Sequence, residues 1–215
     1  MHKIEYNGKS IETNYYTEIS DEEFNRIRDE HYQKPSFDKV QKQFIDIANG
    51  KNAHNLVSKY YIKDIMEKSI KRRSKFSVEE AFASKELMGF LYAKAHSNKK
   101  FYNSDNLIRN IETVCRLGAT GTVQYVSDFP MYAVDEMISK YNKNNIVYDY
   151  SCGWGVRLLG TLRNHVRYCG TDPNYLLVER LLQMSKDYGL ATGEKIDVDI
   201  RAHGSEQYVP EWGGE

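Results

Sequence analysis

Apolar and polar residues follow two different patterns along the chain, and the change falls near residue 118. Over residues 20–117, apolar side chains recur mainly at the three- and four-residue spacing that is typical of helices. After residue 118, short apolar runs alternate with helical segments, as they do in parallel βαβ units. The pattern predicts two domains: a mainly helical accessory region over residues 1–117 and an α/β domain over residues 118–215.

Turn and cap signals divide the first region into a hairpin and helices. Residues 3–16 predict a hairpin, because Asn7-Gly8 accepts the positive φ of a two-residue turn. Ser20 with Glu23, and Ser77 with Glu80, have the spacing of a capping box, which marks a helix start. The predicted helices run from Ser20 to Lys34-Pro35-Ser36, from there to Asn49-Gly50, from His54 to Arg73, from Ser77 to about His96, and from Ser104 or Asp105 to Leu117-Gly118.

Three β-like segments follow in the second region. The segments "NIVYDY", "RYCGTD" and "KIDVDIRA" are separated by helical segments, and "MYAVDEMISKY" predicts a further helix before the first of them. Strands that alternate with helices form parallel sheets, so the fold class is predicted to be α/β.

Composition narrows the functional classes. The chain has 30 basic and 30 acidic side chains, which argues against a generally basic nucleic-acid-binding surface. No segment is apolar enough to span a membrane, and the N-terminal residues carry no apolar secretion signal. Three cysteines without CxxC spacing favour a reducing, cytoplasmic location over a disulfide framework. The histidines show no metal-ligand spacing, so we expect no metal site.

The stretch "NNIVYDYSCGWGVRLLG", at residues 144–160, carries the strongest chemical signal. An apolar strand ends at Asp149, and Gly153 and Gly155 permit a tight turn before a helix. Ligands of open α/β sheets bind beyond the carboxyl ends of the strands, where such a turn lies. The alternative is a turn that needs glycine only for its own geometry.

A second acid follows one βα unit later. Asp172 ends the next β-like segment, 17 residues after Gly155, where a carboxylate can accept hydrogen bonds from ribose hydroxyls. Pro173 and Asn174 are predicted to start the following helix. The alternative for this segment is an ordinary helix N-cap.

Taken together, these motifs resemble a known family. "VYDYSCGWG" followed by "GTDPN" resembles the cofactor half of the S-adenosylmethionine-dependent methyltransferases. Upstream, "SDFPMYAVDEMISKY" resembles the motif that precedes the glycine turn in DNA methyltransferases that modify adenine N6 or cytosine N4. The resemblance covers residues 118–215. It implies a partial Rossmann-like methyltransferase fold, containing the first three parallel strands, preceded by a mainly helical region with a short hairpin.

The resemblance also implies S-adenosylmethionine as cofactor, DNA as partner, and methyl transfer to an exocyclic amine. It assigns cofactor-binding roles to residues near the strand ends. Asp149, Ser151, Gly153 and Gly155 would line the methionine moiety, with Phe129 and Pro130 closing that side; Asp172 would bind the ribose; Pro173 and Asn174 would lie near the adenine, and Ser205 and Glu206 near its amino group.

The catalytic motif of the resembled enzymes is missing from this chain. That motif contains a Pro-Pro pair, whereas the four prolines here are isolated. No catalytic residue is therefore assigned, and we expect no methyl transfer by this chain alone. The chain would be a fragment, half of a split enzyme, or a repurposed fold. The alternatives are a methyltransferase for RNA or a small molecule, and a non-catalytic binding or assembly protein that pairs with a second chain.

Two surfaces are predicted to meet partners. Between Ile62 and Phe76, six basic residues stand against two acidic ones, which predicts phosphate contacts. The alternative is a set of cations that stabilise a helix C-terminus. In the resembled fold the first strand is central, so its outer edge should be covered by the hairpin, a second copy or a separate chain. The predicted nucleic-acid contacts are Lys68, Lys71, Arg72, Arg73 and Lys75.

Overall fold

The computed structural model describes residues 1–97, 106–118 and 121–207. Within these ranges, none of the helices has the length and apolar character needed to cross a membrane. The elements are β1 (His2–Tyr6), β2 (Lys9–Thr13), α1 (Asp21–Tyr32), α2 (Phe37–Ala48), α3 (Asn55–Tyr61), α4 (Lys63–Lys68), α5 (Val78–Ala83), α6 (Lys85–Ser97), α7 (Leu107–Leu117), α8 (Met131–Tyr141), β3 (Ile146–Asp149), α9 (Val156–Leu162), β4 (Arg167–Thr171), α10 (Tyr175–Thr192), β5 (Val198–Arg201) and a 3-10 turn (Ser205–Gln207).

The chain forms two compact units, and both are discontinuous in sequence. The first unit comprises Met1–Gln33 and Asp64–Ser127; the second comprises Lys34–Lys63 and Asp128–Glu215. This division differs from the predicted boundary near Gly118. Residues 34–63, which the sequence pattern assigned to the helical region, group with the α/β segment.

The first unit is mainly helical, as predicted, and includes the predicted hairpin. Strands β1 and β2 pair antiparallel, with Ile4 opposite Ile11. Asn7 and Gly8 both have positive φ, which is the backbone geometry of the two-residue turn that the sequence indicated. Ile4 and Ile11 point into the apolar core that helices α5, α6 and α7 also line. The hairpin is thereby fixed by burial of one face.

A buried polar cluster lies beside this core. The ring of His31 is fully buried; its Nε2 lies 2.8 Å from Oε1 of Glu67, and its Nδ1 lies 3.0 Å from Oε1 of Glu112. The hydroxyl of Tyr125 donates to Oε1 of Glu67 at 3.0 Å. Burial, together with the charge of Glu67, raises the pKa of Tyr125 well above its usual value. These contacts tie α1, α4 and α7 together with polar groups that are buried and still partnered.

The second unit contains a three-stranded parallel sheet with the order β3-β4-β5. Its predicted strands are therefore confirmed, and the molecule is a mixed α/β protein with a mainly helical N-terminal part. Helix α2 packs on α10, where the rings of Phe44 and Tyr188 meet edge to face at 5.7 Å. From α3, the Tyr61 hydroxyl donates to Asp187 at 2.6 Å. These contacts explain why residues 34–63 group with the sheet.

Several predicted helix bounds are wrong. The segment from His54 to Arg73 forms two short helices that are separated at Ile62, and it is helical only as far as Lys68. Beyond Lys68 the chain forms turns, in which the amide of Ser69 donates to the carbonyl of Met66 and the amide of Ser74 to that of Lys71. The helix expected from Ser77 to His96 breaks at Ser84, which is extended and whose Oγ caps the amide of Leu87.

The predicted helix starts also differ in part. The capping box at Ser77 is present, but at the first helix Glu23 binds Arg26 and only Ser20 caps. Ser104 and Asp105, the predicted caps of α7, lie outside the described residues; Asn106 caps that helix through its side chain.

The hairpin does not extend the sheet that contains β3. In the part of the chain that the structure describes, β1 and β2 form a separate two-stranded sheet, and β3 pairs only with β4. Residues of β4 are almost all buried, whereas Ile146, Val147 and Tyr148 of β3 are only half-buried. The side chains of β3 are thus less covered by the rest of the unit than those of β4.

Gly155 is a position where both backbone conformation and packing demand glycine. Its φ is +80°, and a Cβ there would lie 2.7 Å from Cδ2 of Leu181 on α10. Gly193, at the C-terminus of α10, has a similar φ of +74° but open space around it. Substitution of Gly193 therefore adds backbone strain alone, whereas substitution of Gly155 adds a collision to that strain.

We predict that Gly193→Ala lowers the free energy of unfolding by about 1–2 kcal/mol through left-handed strain. Gly155→Ala should lower it by about 1–3 kcal/mol more, because α9 and α10 must separate to admit the methyl group. Urea denaturation followed by circular dichroism measures both variants. Equal losses in the two variants would show that Gly155 is not held against α10.

Candidate functional site

The carboxyl ends of the three parallel strands are joined by hydrogen bonds. The amide of Cys152 donates to the carbonyl of Thr171 at 3.0 Å, and the Thr171 hydroxyl donates to the carbonyl of Tyr150 at 3.1 Å. The amide of Asp172 donates to the carbonyl of Arg201 at 3.2 Å. The turns after β3 and β4 therefore lie at one edge of the sheet, where ligands of open α/β sheets bind.

The turn after β3 has the backbone that its glycines predicted. Gly153 and Gly155 have φ of +56° and +80°, in the left-handed region that residues with a Cβ rarely adopt. Between them and the strand, Cys152 is buried against Gly170 of β4, where an added Cβ would lie 2.5 Å from its Sγ. The turn is thus packed tightly onto the neighbouring strand.

Asp149 is the central polar residue of this edge. It is only 8% exposed. Its Oδ2 accepts from Nε of Arg157 at 2.7 Å and from the hydroxyl of Tyr168 at 2.8 Å; its Oδ1 accepts from Nη2 of Arg157 at 3.1 Å and from the amide of Ser151 at 3.3 Å. Both carboxylate oxygens are therefore saturated by the chain itself.

Arg157 is half-buried and fixed from three directions. Besides Asp149, its guanidinium donates to the carbonyl of Ser151 and stands 5.6 Å from the ring centroid of Phe129. Burial lowers the pKa of Arg157, but the hydrogen bond and charge of Asp149 outweigh that effect and raise it overall. The guanidinium is a permanent cation within the site.

A cavity of about 660 Å³ opens beside these groups. Its volume lies within the roughly 300–1,000 Å³ that ligand pockets occupy. Phe129, Asp149 and Ser151, three of the predicted cofactor residues, line it together with Arg157. The rest of its wall is mostly apolar and comes from α8 and the edge of β3: Val134, Met137, Ile138, Tyr141, Ile146, Val147 and Tyr148.

Asp172 lies at the end of the adjacent strand β4 and does not line this cavity. Its Oδ1 accepts from the amide of Asn174 at 3.0 Å, and its Oδ2 accepts no hydrogen bond from the described residues. Asn174 caps α10 through its side chain, whereas Pro173 precedes the cap instead of lying in the first turn. Asp172 thus keeps one acceptor available at the sheet edge.

The remaining predicted cofactor residues do not line the cavity. Pro130 occupies the N-cap position of α8. Ser205 and Glu206 are exposed in the 3-10 turn after β5. Gly153 and Gly155 shape the turn, and neither lines the cavity.

Arg157 and Tyr168 are the site residues that the sequence interpretation missed. An arginine in the first turn of a helix faces the positive end of the helix dipole, so its position indicates a nearby acid. Asp149, eight residues earlier, is that acid. Tyr168 carried no such signal, because a tyrosine in a strand is indistinguishable from a packing residue until the register places it beside Val147.

The predicted nucleic-acid contacts lie in the first unit, and most of them are not on a helix. Lys68 ends α4, and a tight turn at residues 71–74 follows. Lys71 donates to Ser127 at 3.0 Å, and Lys75 donates to the carbonyl of Ser10 at 2.9 Å. At the turn, Arg72 and Arg73 are exposed and make no hydrogen bond or ion pair with a described residue. Of these five cations, Lys68 is therefore the one whose position at a helix C-terminus fits the alternative explanation, stabilisation of the helix dipole.

Comparison with protein-family models, with curated proteins and with solved structures gave no match. Among the described residues, no three histidine, cysteine or acidic side chains lie close enough to hold a metal ion.

The cysteines are free thiols buried in the protein. Burial is the largest cause that raises the pKa of Cys152, to about 12, and burial also raises the pKa of Cys115 and Cys169. A thiol nucleophile needs a lowered pKa, so Cys152 lacks the character of one.

We predict that the native thiols react slowly with Ellman's reagent at pH 8, because all three are buried and burial raises the pKa of each. Cys152, with a pKa of about 12, is about 0.01% thiolate at that pH. In guanidinium chloride the same thiols regain an ordinary pKa and should react at the rate of free cysteine. Rapid labelling of one thiol per native chain would contradict the burial of these side chains.

Proposed function

We propose that this chain binds S-adenosylmethionine and is the cofactor-binding part of an amino-methyltransferase that acts on DNA. The observation that carries the proposal is the shared edge at the carboxyl ends of β3 and β4. There, a glycine turn and an acid-lined cavity stand beside a second acid with an available oxygen. This is the region where open α/β sheets bind nucleotide ligands.

The residues present suit the chemistry of that cofactor. The cavity offers a carboxylate at Asp149, a guanidinium at Arg157 and an aromatic ring at Phe129, next to apolar walls. These groups complement an ammonium, a carboxylate and a sulfonium, respectively. Asp172 supplies an acceptor for ribose hydroxyls on the neighbouring strand. The donor set therefore supports a sulfonium nucleoside that carries an amino-acid moiety.

When bound, S-adenosylmethionine supplies an electrophilic methyl group. The residues of the cavity would bind and orient the ligand, and the Pro-Pro motif that holds the target amine in the resembled enzymes does not occur in the sequence. Met137, Ile138 and Tyr141 form an apolar wall on one side of the pocket, against which the ligand would pack. The proposal accordingly assigns cofactor binding to this chain and no catalytic residue.

We predict that Asp172→Ala weakens the binding of S-adenosylmethionine by about 1–3 kcal/mol, since ribose hydroxyls would lose their acceptor. Isothermal titration calorimetry with the 215-residue chain measures the change. The control is Asp197→Ala, which removes an exposed carboxylate near the start of β5, at the opposite end of the strands. That variant should bind as the unmodified chain does.

Two results would refute the cofactor assignment. One is the absence of binding to both S-adenosylmethionine and its demethylated product. The other is equal affinity of the Asp172 and Asp197 variants, which would remove Asp172 from the site.

We infer that DNA is contacted through the basic turn, because Arg72 and Arg73 are exposed there and make no hydrogen bond or ion pair within the part of the chain that the structure describes. Arginine forms paired hydrogen bonds with phosphate oxygens. Each phosphate contact contributes about 0.9 to the slope of log affinity against log salt concentration for duplex DNA.

The joint substitution of Arg72 and Arg73 by alanine should therefore make the salt slope less steep by about 2, measured by fluorescence anisotropy on a labelled duplex. Replacing Lys39 and Lys42, two exposed cations of α2, removes the same charge elsewhere and should leave the slope unchanged. Equal changes in the two double variants would indicate only general charge attraction. Tighter binding to RNA of the same length would favour an RNA methyltransferase.

A second copy or a separate chain is the proposed cover for the outer edge of β3. The half-burial of Ile146 and Val147, and the exposure of Met137, Tyr141 and Tyr150 around the same cavity, support this arrangement. The free thiols agree with a cytoplasmic location, which is part of the proposal.

A further inference from the structure

The ion pair between Asp149 and Arg157 lies inside the candidate pocket, whereas the pair between Arg163 and Asp135 in the same unit lies outside it. Arg163 binds Asp135 at the far end of α9, outside the cavity lining, and its side chain is 5% exposed. Arg157 lines the cavity and is 32% exposed. A ligand that enters the cavity therefore meets both members of the first pair.

The surroundings of the pair favour one kind of ligand charge. Asp149 is held on its strand side by the Tyr168 hydroxyl and the Ser151 amide, and these two bonds can persist when Arg157 moves. Arg157 likewise keeps the carbonyl of Ser151 and the ring of Phe129 as partners. Each charge can thus exchange its ionic partner without losing its position.

Charge balance decides what that partner is. A purely cationic ligand would pair with Asp149 and leave the half-buried guanidinium of Arg157 without a counter-charge, and a purely anionic ligand would leave Asp149 unpaired. Both outcomes are costly in a partly desolvated site. A zwitterion offers a cation to one member and an anion to the other, so it replaces one ion pair by two.

We propose that Arg157 is a specificity-determining residue that recognises the α-carboxylate of an amino-acid moiety while Asp149 recognises its α-ammonium group. The inference rests on the proposed function, in which the ligand is S-adenosylmethionine. It adds that the carboxylate of the ligand is required, and that Arg157 enforces the requirement.

The test compares two ligands on one protein. The full chain is titrated calorimetrically with S-adenosylmethionine and with its decarboxylated form, which keeps the sulfonium and the ammonium but lacks the carboxylate. A charge-assisted bidentate contact corresponds to about a 10- to 100-fold preference for the carboxylated ligand. Arg157→Gln should reduce that preference to about threefold or less, and Arg157→Lys should leave an intermediate preference, because a point charge lacks the planar fork.

Arg163→Gln is the matched control, since it breaks an arginine–aspartate pair of α9 outside the cavity. It should lower stability and keep the full preference between the ligands. The ratio of the two affinities within one variant is insensitive to partial unfolding, because unfolding weakens both to the same extent. If Arg157→Gln does not fold, the lysine variant and the unmodified chain still give the ratio.

The outcomes separate the two proposals. Binding of both ligands with equal affinity by the unmodified chain, or an undiminished preference in Arg157→Gln, overturns the role of Arg157 and leaves the cofactor assignment intact. No binding of either ligand by the unmodified chain overturns the cofactor assignment, and the role of Arg157 with it.

Discussion

The carboxylate of Asp149 is the constraint around which the α/β unit is arranged. A buried carboxylate is stable only when its oxygens are bonded, and losing one partner leaves a charge in a poorly solvated place. Its donors come from three separate elements: Arg157 from α9, Tyr168 from β4 and the Ser151 amide from the turn. One side chain therefore fixes the strand, the turn and the helix relative to one another, and the shape of the cavity follows from those bonds.

Close packing makes that arrangement possible. Gly170 has no side chain, so the thiol of Cys152 and the ring of Tyr168 occupy the space over β4. Gly155 allows α10 to approach the start of α9, where a methyl group would collide with Leu181. Gly170 thereby leaves room for the ring of Tyr168, whose hydroxyl donates to Asp149. Small residues here serve packing as much as turn geometry.

Much of the fold could be predicted from signals between residues that are close in sequence. The Asn7-Gly8 turn, the Ser77 cap and the three strands could be predicted because each depends on residues close in sequence. Contacts between distant residues were not accessible in that way. Phe76 pairs with Thr122, more than forty positions later, and α2 joins the sheet unit through the contact of Phe44 with Tyr188. In the site, the acids at the strand ends were predictable from the topology, and the position of Arg157 in the first turn of α9 carried a signal for its pairing with Asp149. The contact of Tyr168 with Asp149 was not predictable, because it depends on the register of two strands.

The cavity combines a charged end with an apolar wall, and the two parts have different energetic roles. The Asp149–Arg157 pair is already satisfied, so exchanging partners there changes free energy little and serves selectivity. Affinity must come from covering the apolar wall of Ile146, Val147 and Met137, which water now contacts at the edge of β3. A ligand or a neighbouring strand on that wall would also shield the ion pair and strengthen it, because the local dielectric falls when water leaves. Whatever covers the apolar wall at the edge of β3 therefore also strengthens charge recognition by Asp149 and Arg157, because the wall and the ion pair line one cavity.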